Sequence, residues 1–219
     1  MDTAVYGYGD KLYLNITNKC HLDCTFCIRR NKAGLGDAPS LWLAEEPTVQ
    51  QVLEAVQARG TDGVAQIVFC GYGEPTERLH DMLTMAKELK KMPHCPPLRL
   101  DTNGLSSLVY GYDTVPDIAE RFDAVSISLN APTAAEYAAL CPSPWGEEAF
   151  FAMLDFARHM RPLVRDTRLT VVDVIGEEAV AQARELARRL DIPLHVRHYQ
   201  GPEEKWGPGA AGYWGKQRE

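Results

Sequence analysis

No stretch of this chain approaches the roughly 20 consecutive apolar residues that a bilayer-spanning helix needs. Nor does any Ser/Gly-rich linker or block of like charges divide its 219 residues. The opening Met1-Asp2-Thr3 lacks the basic flank of a secretory signal, so the expectation is a cytosolic protein with no membrane partner. Positive charge is scarce as well: 23 Lys and Arg face 30 Asp and Glu, a formal net charge of -7, which argues against a general affinity for nucleic acid. The default partner is then a small molecule or another protein. At 45 % hydrophobic the chain has material for one sizeable core. We expect a single domain over residues 1–200 and an irregular tail over 201–219, which carries Trp206 and Trp214 and either hangs free or covers the fold.

Six cysteines in a reducing cytosol do not suggest a disulfide framework. Their distribution says more than their number. Cys20, Cys24 and Cys27 follow one another as C-x3-C-x2-C, whereas Cys70, Cys95 and Cys141 are scattered. Three thiolates on one loop can bind three irons of a cubic cluster and leave the fourth open to a small molecule. Zinc is the alternative, but it usually takes four ligands and favours paired C-x2-C units. His21 or Cys70 would complete such a set only by an unusual geometry. Phe26, beside the third cysteine, would shield a cluster or touch a cofactor ring, or be an ordinary core residue.

Strand and helix periods alternate along the chain. Lys11 to Thr17 places Leu12, Leu14 and Ile16 on one face and Tyr13, Asn15 and Thr17 on the other, the period of a strand, and runs straight into the cysteine loop. Arg29 to Glu46 is irregular and reads as a long loop over the site. Thr48-x-x-Gln51 is a capping box opening a helix. Further strands are expected over Val64–Cys70, Leu98–Asp101, Ala124–Asn130, Arg168–Val174 and Leu194–Tyr199. Helices are expected over Glu77–Lys91, Val115–Arg121, Glu147–Met160 and Glu177–Leu190, with a second capping box at Thr133-x-x-Glu136. Six strands alternating with helices predict parallel strands joined by right-handed crossovers, an α/β fold of the partial, open (β/α)6 TIM-like type.

With the apolar strand faces turned to the helices, Tyr13, Asn15, Thr17, Arg99, Asp101, Ser126, Ser128, Asn130, His195, Arg197 and Tyr199 point inward. A polar interior costs stability unless a ligand or mutual hydrogen bonds satisfy it.

The cysteine triplet after a first strand resembles the signature of the radical S-adenosylmethionine (SAM) superfamily, whose partial barrel is similar to the six-repeat architecture expected here. Cys70-Gly71-Tyr72-Gly73-Glu74-Pro75 stands at the second strand end, where that superfamily carries a Gly-Gly-Glu motif; Tyr72 departs from it. Asp101-Thr102-Asn103-Gly104 resembles the Thr-Asn-Gly segment of many members, and Ser128 and Asn130 resemble ribose contacts. Asn-Gly and Asn-Ala-Pro are also common turn chemistry. More narrowly, the opening Tyr-Gly-x-x-Leu-Tyr-Leu-Asn-Ile-Thr-Asn-x-Cys and the final Val-Arg-His-Tyr look like the small TatD-linked radical SAM proteins.

The resemblance implies a [4Fe-4S] cluster on Cys20, Cys24 and Cys27. It implies SAM held by Phe26, Gly71, Tyr72, Gly73, Glu74, Thr102, Asn103, Ser128 and Asn130, with the Glu74 carboxylate accepting from the ammonium group of SAM. It also implies reductive cleavage of SAM to a 5'-deoxyadenosyl radical that takes hydrogen from a small polar substrate, an electron donor such as flavodoxin or ferredoxin, and association with a TatD-family hydrolase. Asp101, Asp173, Arg197 and Tyr199 are the expected substrate contacts. Arg197 suits a carboxylate or phosphate, or else pairs internally with Asp173 or Asp101. Cys141 either takes part in hydrogen or sulfur chemistry or is a small buried residue. Rival readings are an activating enzyme that forms a glycyl radical on a partner protein, a synthase resembling the deazapurine carboxylate enzymes, and a non-catalytic zinc or redox-sensing module.

Overall fold

The computed structural model describes residues 3–30 and 34–199. Its centre is one seven-stranded sheet in which spatial order follows chain order: β1 (Val5–Tyr8), β2 (Lys11–Leu14), β3 (Gln66–Phe69), β4 (Leu98–Thr102), β5 (Ala124–Ser128), β6 (Asp166–Val172) and β7 (Leu194–Arg197). From β2 to β7 every pair is parallel. Among the described residues the sheet runs from β1 to β7 without joining the two, an open, partial barrel as expected.

The first strand is an addition to the expected set. β1 pairs antiparallel with β2, and Gly9 between them takes φ 61°, a left-handed conformation suited to a tight hairpin. Only four residues long, with Gly7 inside it, β1 carries too short a pattern to be recognised by period.

Among the described residues seven helices cover the sheet: α1 (Val49–Arg59), α2 (Leu79–Leu89), α3 (Ser106–Tyr110), α4 (Val115–Ala119), α5 (Ala134–Leu140), α6 (Glu148–Met160) and α7 (Glu177–Arg189). Thr48 closes the expected capping box: its hydroxyl accepts from Gln51 N at 3.2 Å while the Gln51 side chain accepts from Thr48 N at 2.8 Å. The helix expected from Glu77 begins differently. Glu74 caps a 3-10 turn over Pro75–Arg78, and α2 proper starts at Leu79. Leu12, Leu14, Ile67, Phe69, Leu98, Leu100, Val125, Ile127, Leu169 and Val171 form the core with Val52, Met82, Met85, Leu89, Met153, Phe156 and Ala183 of the helices.

The polar residues share the opposite face. Side chains of residues paired across parallel strands project to one side. Tyr13, Val68, Arg99 and Ala124 therefore form one row, Asp101, Ser126 and Arg168 a second, and Ser128, Thr170 and His195 a third. This confirms the parity assigned to the short β4. Gly34 to Glu46 of the irregular segment builds a small core of its own, with Ala38 and Leu41 packed on Tyr6 and Tyr72. Asn15 Nδ2 donates to Leu41 O at 2.7 Å and Asn18 Nδ2 to Leu43 O at 2.7 Å, which straps the loop to the end of β2. The tail over 201–219 lies outside the described residues. Among those described, no helix is long and apolar enough to cross a membrane.

Candidate functional site

The cysteine loop leaves the end of β2 and is clamped on two sides. On one side Gly73 N donates to Thr17 O at 3.0 Å and Glu74 N to Lys19 O at 2.8 Å, so the turn after β3 is stitched to the start of the loop. Glycine is required here: a Cβ on Gly73 would stand 2.4 Å from Thr17 O and 2.6 Å from Lys19 O, and one on Gly71 would stand 2.0 Å from Asn15 Oδ1. On the other side Asp23 N donates to Pro142 O and Thr25 N to Leu140 O, each at 2.9 Å, which fastens the loop to the end of α5. His21 completes the frame, bonding Glu77 through both its backbone and its ring and packing 5.2 Å from Trp145. Tyr72, where the motif departs from a second glycine, is buried and meets Trp42 edge-on at 5.3 Å, so its ring supports the strapped loop.

Glu74 is buried and surrounded by donors. Its Oε1 accepts from Thr76 N at 3.2 Å, Thr76 Oγ1 at 2.8 Å and Thr102 Oγ1 at 2.7 Å, and its Oε2 accepts from Asn103 N at 2.8 Å. Burial nonetheless holds its carboxyl above the usual glutamate value, against the pull of those bonds. The carboxylate thus ties the end of β3 to the end of β4. Asn103 is committed in turn, its Oδ1 accepting from Leu105 N at 2.9 Å, and Thr102 Oγ1 accepts from Gly104 N at 3.1 Å. The Thr-Asn-Gly string is therefore a turn in its own right as well as a wall of the site.

The three loop thiols are partly buried and free, and Cys141 is fully buried behind them. Burial, then the Glu74 charge, pushes the Cys20 thiol up to about 12. Cys24 is raised first by its hydrogen bond with Cys141 and then by burial, and Cys27 by burial. All three hold their protons at neutral pH in the bare protein, and a metal centre would have to displace them. Among the described residues no three His, Cys, Asp or Glu groups converge on one point as a single metal ion needs. A cubic cluster, whose irons take one thiolate each, does not ask for that convergence.

Three buried side-chain oxygens have no hydrogen-bond partner among the described residues: Thr25 Oγ1, Asn130 Oδ1 and Tyr137 Oη. They belong to one neighbourhood. Thr25 lies between Cys24 and Cys27 and is tied to Leu140. Asn130, just past β5 with φ 59°, donates from Nδ2 to Cys141 Sγ at 3.3 Å. Tyr137 stands one helical turn before Cys141. Orphaned polar atoms of this kind are rare in proteins and mark a missing partner. Their grouping around Cys24 and Cys141 fits a bound polyatomic group held by the cysteine loop.

The expected substrate contacts sit at the far strand ends, already partly engaged. Asp101 is held bidentately by Arg99 of its own strand, Nε–Oδ1 at 2.8 Å and Nη2–Oδ2 at 3.2 Å, rather than by Arg197. Asp173, in the 3-10 turn after β6, accepts from His198 Nδ1 at 2.8 Å and Tyr199 N at 2.9 Å. Neither internal partner suggested for Arg197 is therefore used, and no ion pair between described residues involves it. Half-buried Cys70 feels two of these charges: its thiol is raised by burial and by Asp101 and lowered by Arg197. Phe26 is buried against the core, and Ser128 shares a row with Thr170 and His195. Sequence reasoning passed over Tyr137 and Thr25. The only available signals were a tyrosine four residues before a cysteine and a hydroxyl inside the triplet.

A family model described as the Radical SAM superfamily matches residues 14–187. The GTP 3',8-cyclases of two Clostridium perfringens strains, SM101 and 13, are 27 % identical over 122 residues, covering 55 % of this chain and 34 % of each relative. The match thus spans about a third of the length of those curated relatives. Among solved structures, native anSMEcpe with bound AdoMet superposes with a TM-score of 0.56 at 17 % identity, over 87 % of this chain and 51 % of that one. HydG, a maturase of the [FeFe]-hydrogenase, superposes with a TM-score of 0.58 at 13 % identity, over 89 % of this chain and 44 % of that one. Those two likenesses concern the fold.

Proposed function

From the premise that this chain belongs to the radical SAM superfamily, a family of enzymes that bind a [4Fe-4S] cluster and SAM, we propose that it abstracts hydrogen from a small polar substrate carrying an anionic group. The observation that carries the reading is the set of orphaned oxygens on Thr25, Asn130 and Tyr137, gathered around the cysteine loop of a matching family member. Cys20, Cys24 and Cys27 would hold the cluster, with SAM lying between that loop and the ends of β3, β4 and β5. When bound, the pair supplies a 5'-deoxyadenosyl radical.

The chain's own residues bind, orient and shield. The turn at Gly71 to Glu74 brings backbone close to the loop, and the hydrogen bonds to Glu74 hold its carboxyl group in place beside it. Ser128 and Asn130 occupy the next strand end, suited to hydroxyl groups. Gly34 to Glu46, strapped by Asn15 and Asn18, walls off one side. The substrate side is assigned by charge accounting: Arg99 already serves Asp101, and Arg168 serves Asp166, whereas Arg197 serves no carboxylate among the described residues. Arg197 would take the anionic group, with Tyr199 and Asp173 beside it and Asp101 contributing a neutralised, hydrogen-bonding edge.

The finer likeness to TatD-linked proteins, a flavodoxin or ferredoxin donor and a cytoplasmic location belong to the same proposal. Anaerobic reconstitution followed by reductant and SAM should give 5'-deoxyadenosine from the wild type and a loss of at least tenfold in Cys24→Ala. Equal yields from the two proteins, or none from a wild type that holds its cluster, would overturn the reading.

A further inference from the structure

Of the three orphaned oxygens, that of Tyr137 has the fewest ways out. A phenol donates one proton and its position is fixed by the ring. Tyr137 is fully buried, packed 5.7 Å from the ring of Phe150, and lies on α5 where Cys141 N bonds back to Tyr137 O at 2.7 Å. The helix end is pinned to the cysteine loop through Leu140 O and Pro142 O, so the ring cannot swing away without unfastening the loop. The groups sharing its electrostatic surroundings are the Cys141, Cys24 and Cys20 thiols and, beyond them, Glu74. None of these groups accepts a hydrogen bond from the phenol among the described residues, so its buried proton is left without an acceptor beside the cysteine loop. Cys141 itself is already addressed by Asn130 Nδ2 at 3.3 Å and by Cys24.

We propose that Tyr137 is a positioning residue that donates a hydrogen bond to the sulfur shell of the cluster at Cys24 and so sets the cluster's reduction potential. The inference rests on the proposed function above. Hydrogen bonds to cluster sulfur favour the more negative, reduced form and raise the potential. One charge-assisted bond that strengthens when an electron arrives is worth roughly tenfold in the ratio of reduced to oxidised cluster. For a one-electron couple tenfold corresponds to about 59 mV.

The test is a redox titration, followed by electron paramagnetic resonance, of anaerobically reconstituted full-length protein with iron and sulfide content measured alongside. Tyr137→Phe keeps the ring against Phe150 and removes only the donor, so its potential should fall by about 59 mV at full cluster content. Site-specific 3-fluorotyrosine at position 137, a stronger donor, should move it the opposite way. Unchanged potentials in both proteins overturn the inference, as does a shift of the same sign in both. Should Tyr137→Phe lose its cluster, the fluorinated protein decides: a raised potential supports the assignment and an unaltered one refutes it. A wild type that takes up no cluster instead refutes the proposed function and this inference with it, so the two failures are told apart by the iron content of the unmodified protein.

Discussion

Gly73→Ala tests the claim that close backbone approach, and not merely a flexible turn, builds this site. The added methyl would sit 2.4 Å from Thr17 O, 2.6 Å from Lys19 O and 2.8 Å from Thr17 C. All three atoms are backbone, so no side chain can rotate out of the way. Either the turn after β3 or the start of the cysteine loop must move by about 1 Å to restore ordinary contact, and such overpacking costs roughly 1–3 kcal/mol. The shift also stretches Gly73 N to Thr17 O and Glu74 N to Lys19 O, now 3.0 and 2.8 Å. Each of those bonds is worth about 0.5–1.5 kcal/mol net. Together the substitution should destabilise the cluster-free protein by about 2–6 kcal/mol, read from urea unfolding. It should also reduce iron uptake on reconstitution, because Cys20 directly follows Lys19 in the loop that must move. A variant within about 0.5 kcal/mol of wild type, the range of an indifferent surface change, that also loads iron normally would show that the two segments are not held in register by this contact.

Two further outcomes concern charge. Cys20 has its thiol raised from 9.0 to about 12 in the fold. A raised folded-state value gives stability that is complete below the unfolded value and is lost as pH rises through the folded one. The cluster-free protein should therefore weaken above about pH 9, a trend that Cys20→Ala should lessen in denaturation series; equal pH slopes for the two proteins would refute it. Asp101→Asn removes the carboxylate from Arg99, whose side chain is 12 % exposed beside one that is 24 % exposed. The loss should be about 1–3 kcal/mol, below the range of a fully buried pair, and partly recovered when Arg99→Met is added. A double-mutant cycle with no coupling would show that the pair is incidental.

Much of the fold was readable because its two periods are clean. Each of the six parallel strands falls inside or within two residues of its expected span, and Thr48 and Thr133 cap the helices they were expected to cap. What escaped was set by contacts distant in sequence. β1 is a strand because β2 offers it a partner. α3 is five residues long, capped at its end by Gly111 in the left-handed region, and offers no periodic stripe. Asn130 was expected as the end of β5 but lies beyond it with positive φ, which points its amide at Cys141. The ligand-bearing loop was plain from three cysteines and a downstream Gly-x-Gly-Glu. The role of Tyr137 was not, because it exists only once the Leu140 and Pro142 carbonyls fold back onto Asp23 and Thr25. The same limit applies to Arg197. Its internal partners were guessed from strand ends, while Arg99 stood two residues from Asp101 on the same face and reached it first.

Glu74 gives the sharpest link between this architecture and ligand binding. Three donors crowd Oε1 and, among the described residues, only Asn103 N addresses Oε2. An ionised carboxylate has about four lone-pair sites, so Oε2 retains acceptor capacity. An ammonium group could use it without disturbing the network, and the surrounding bonds keep the charge where it is needed. Yet burial already outweighs those bonds and raises the carboxyl above 4.5. A cation arriving beside it would reverse that balance and pull the value down, so binding and ionisation are coupled. The affinity for SAM of the cluster-loaded protein should therefore fall as pH drops through the raised Glu74 value. Glu74→Gln, which carries no charge to lose, should bind more weakly and with a flatter pH profile. Equilibrium dialysis across that range decides the matter: parallel profiles for wild type and Glu74→Gln would mean that the carboxylate serves the strand ends alone.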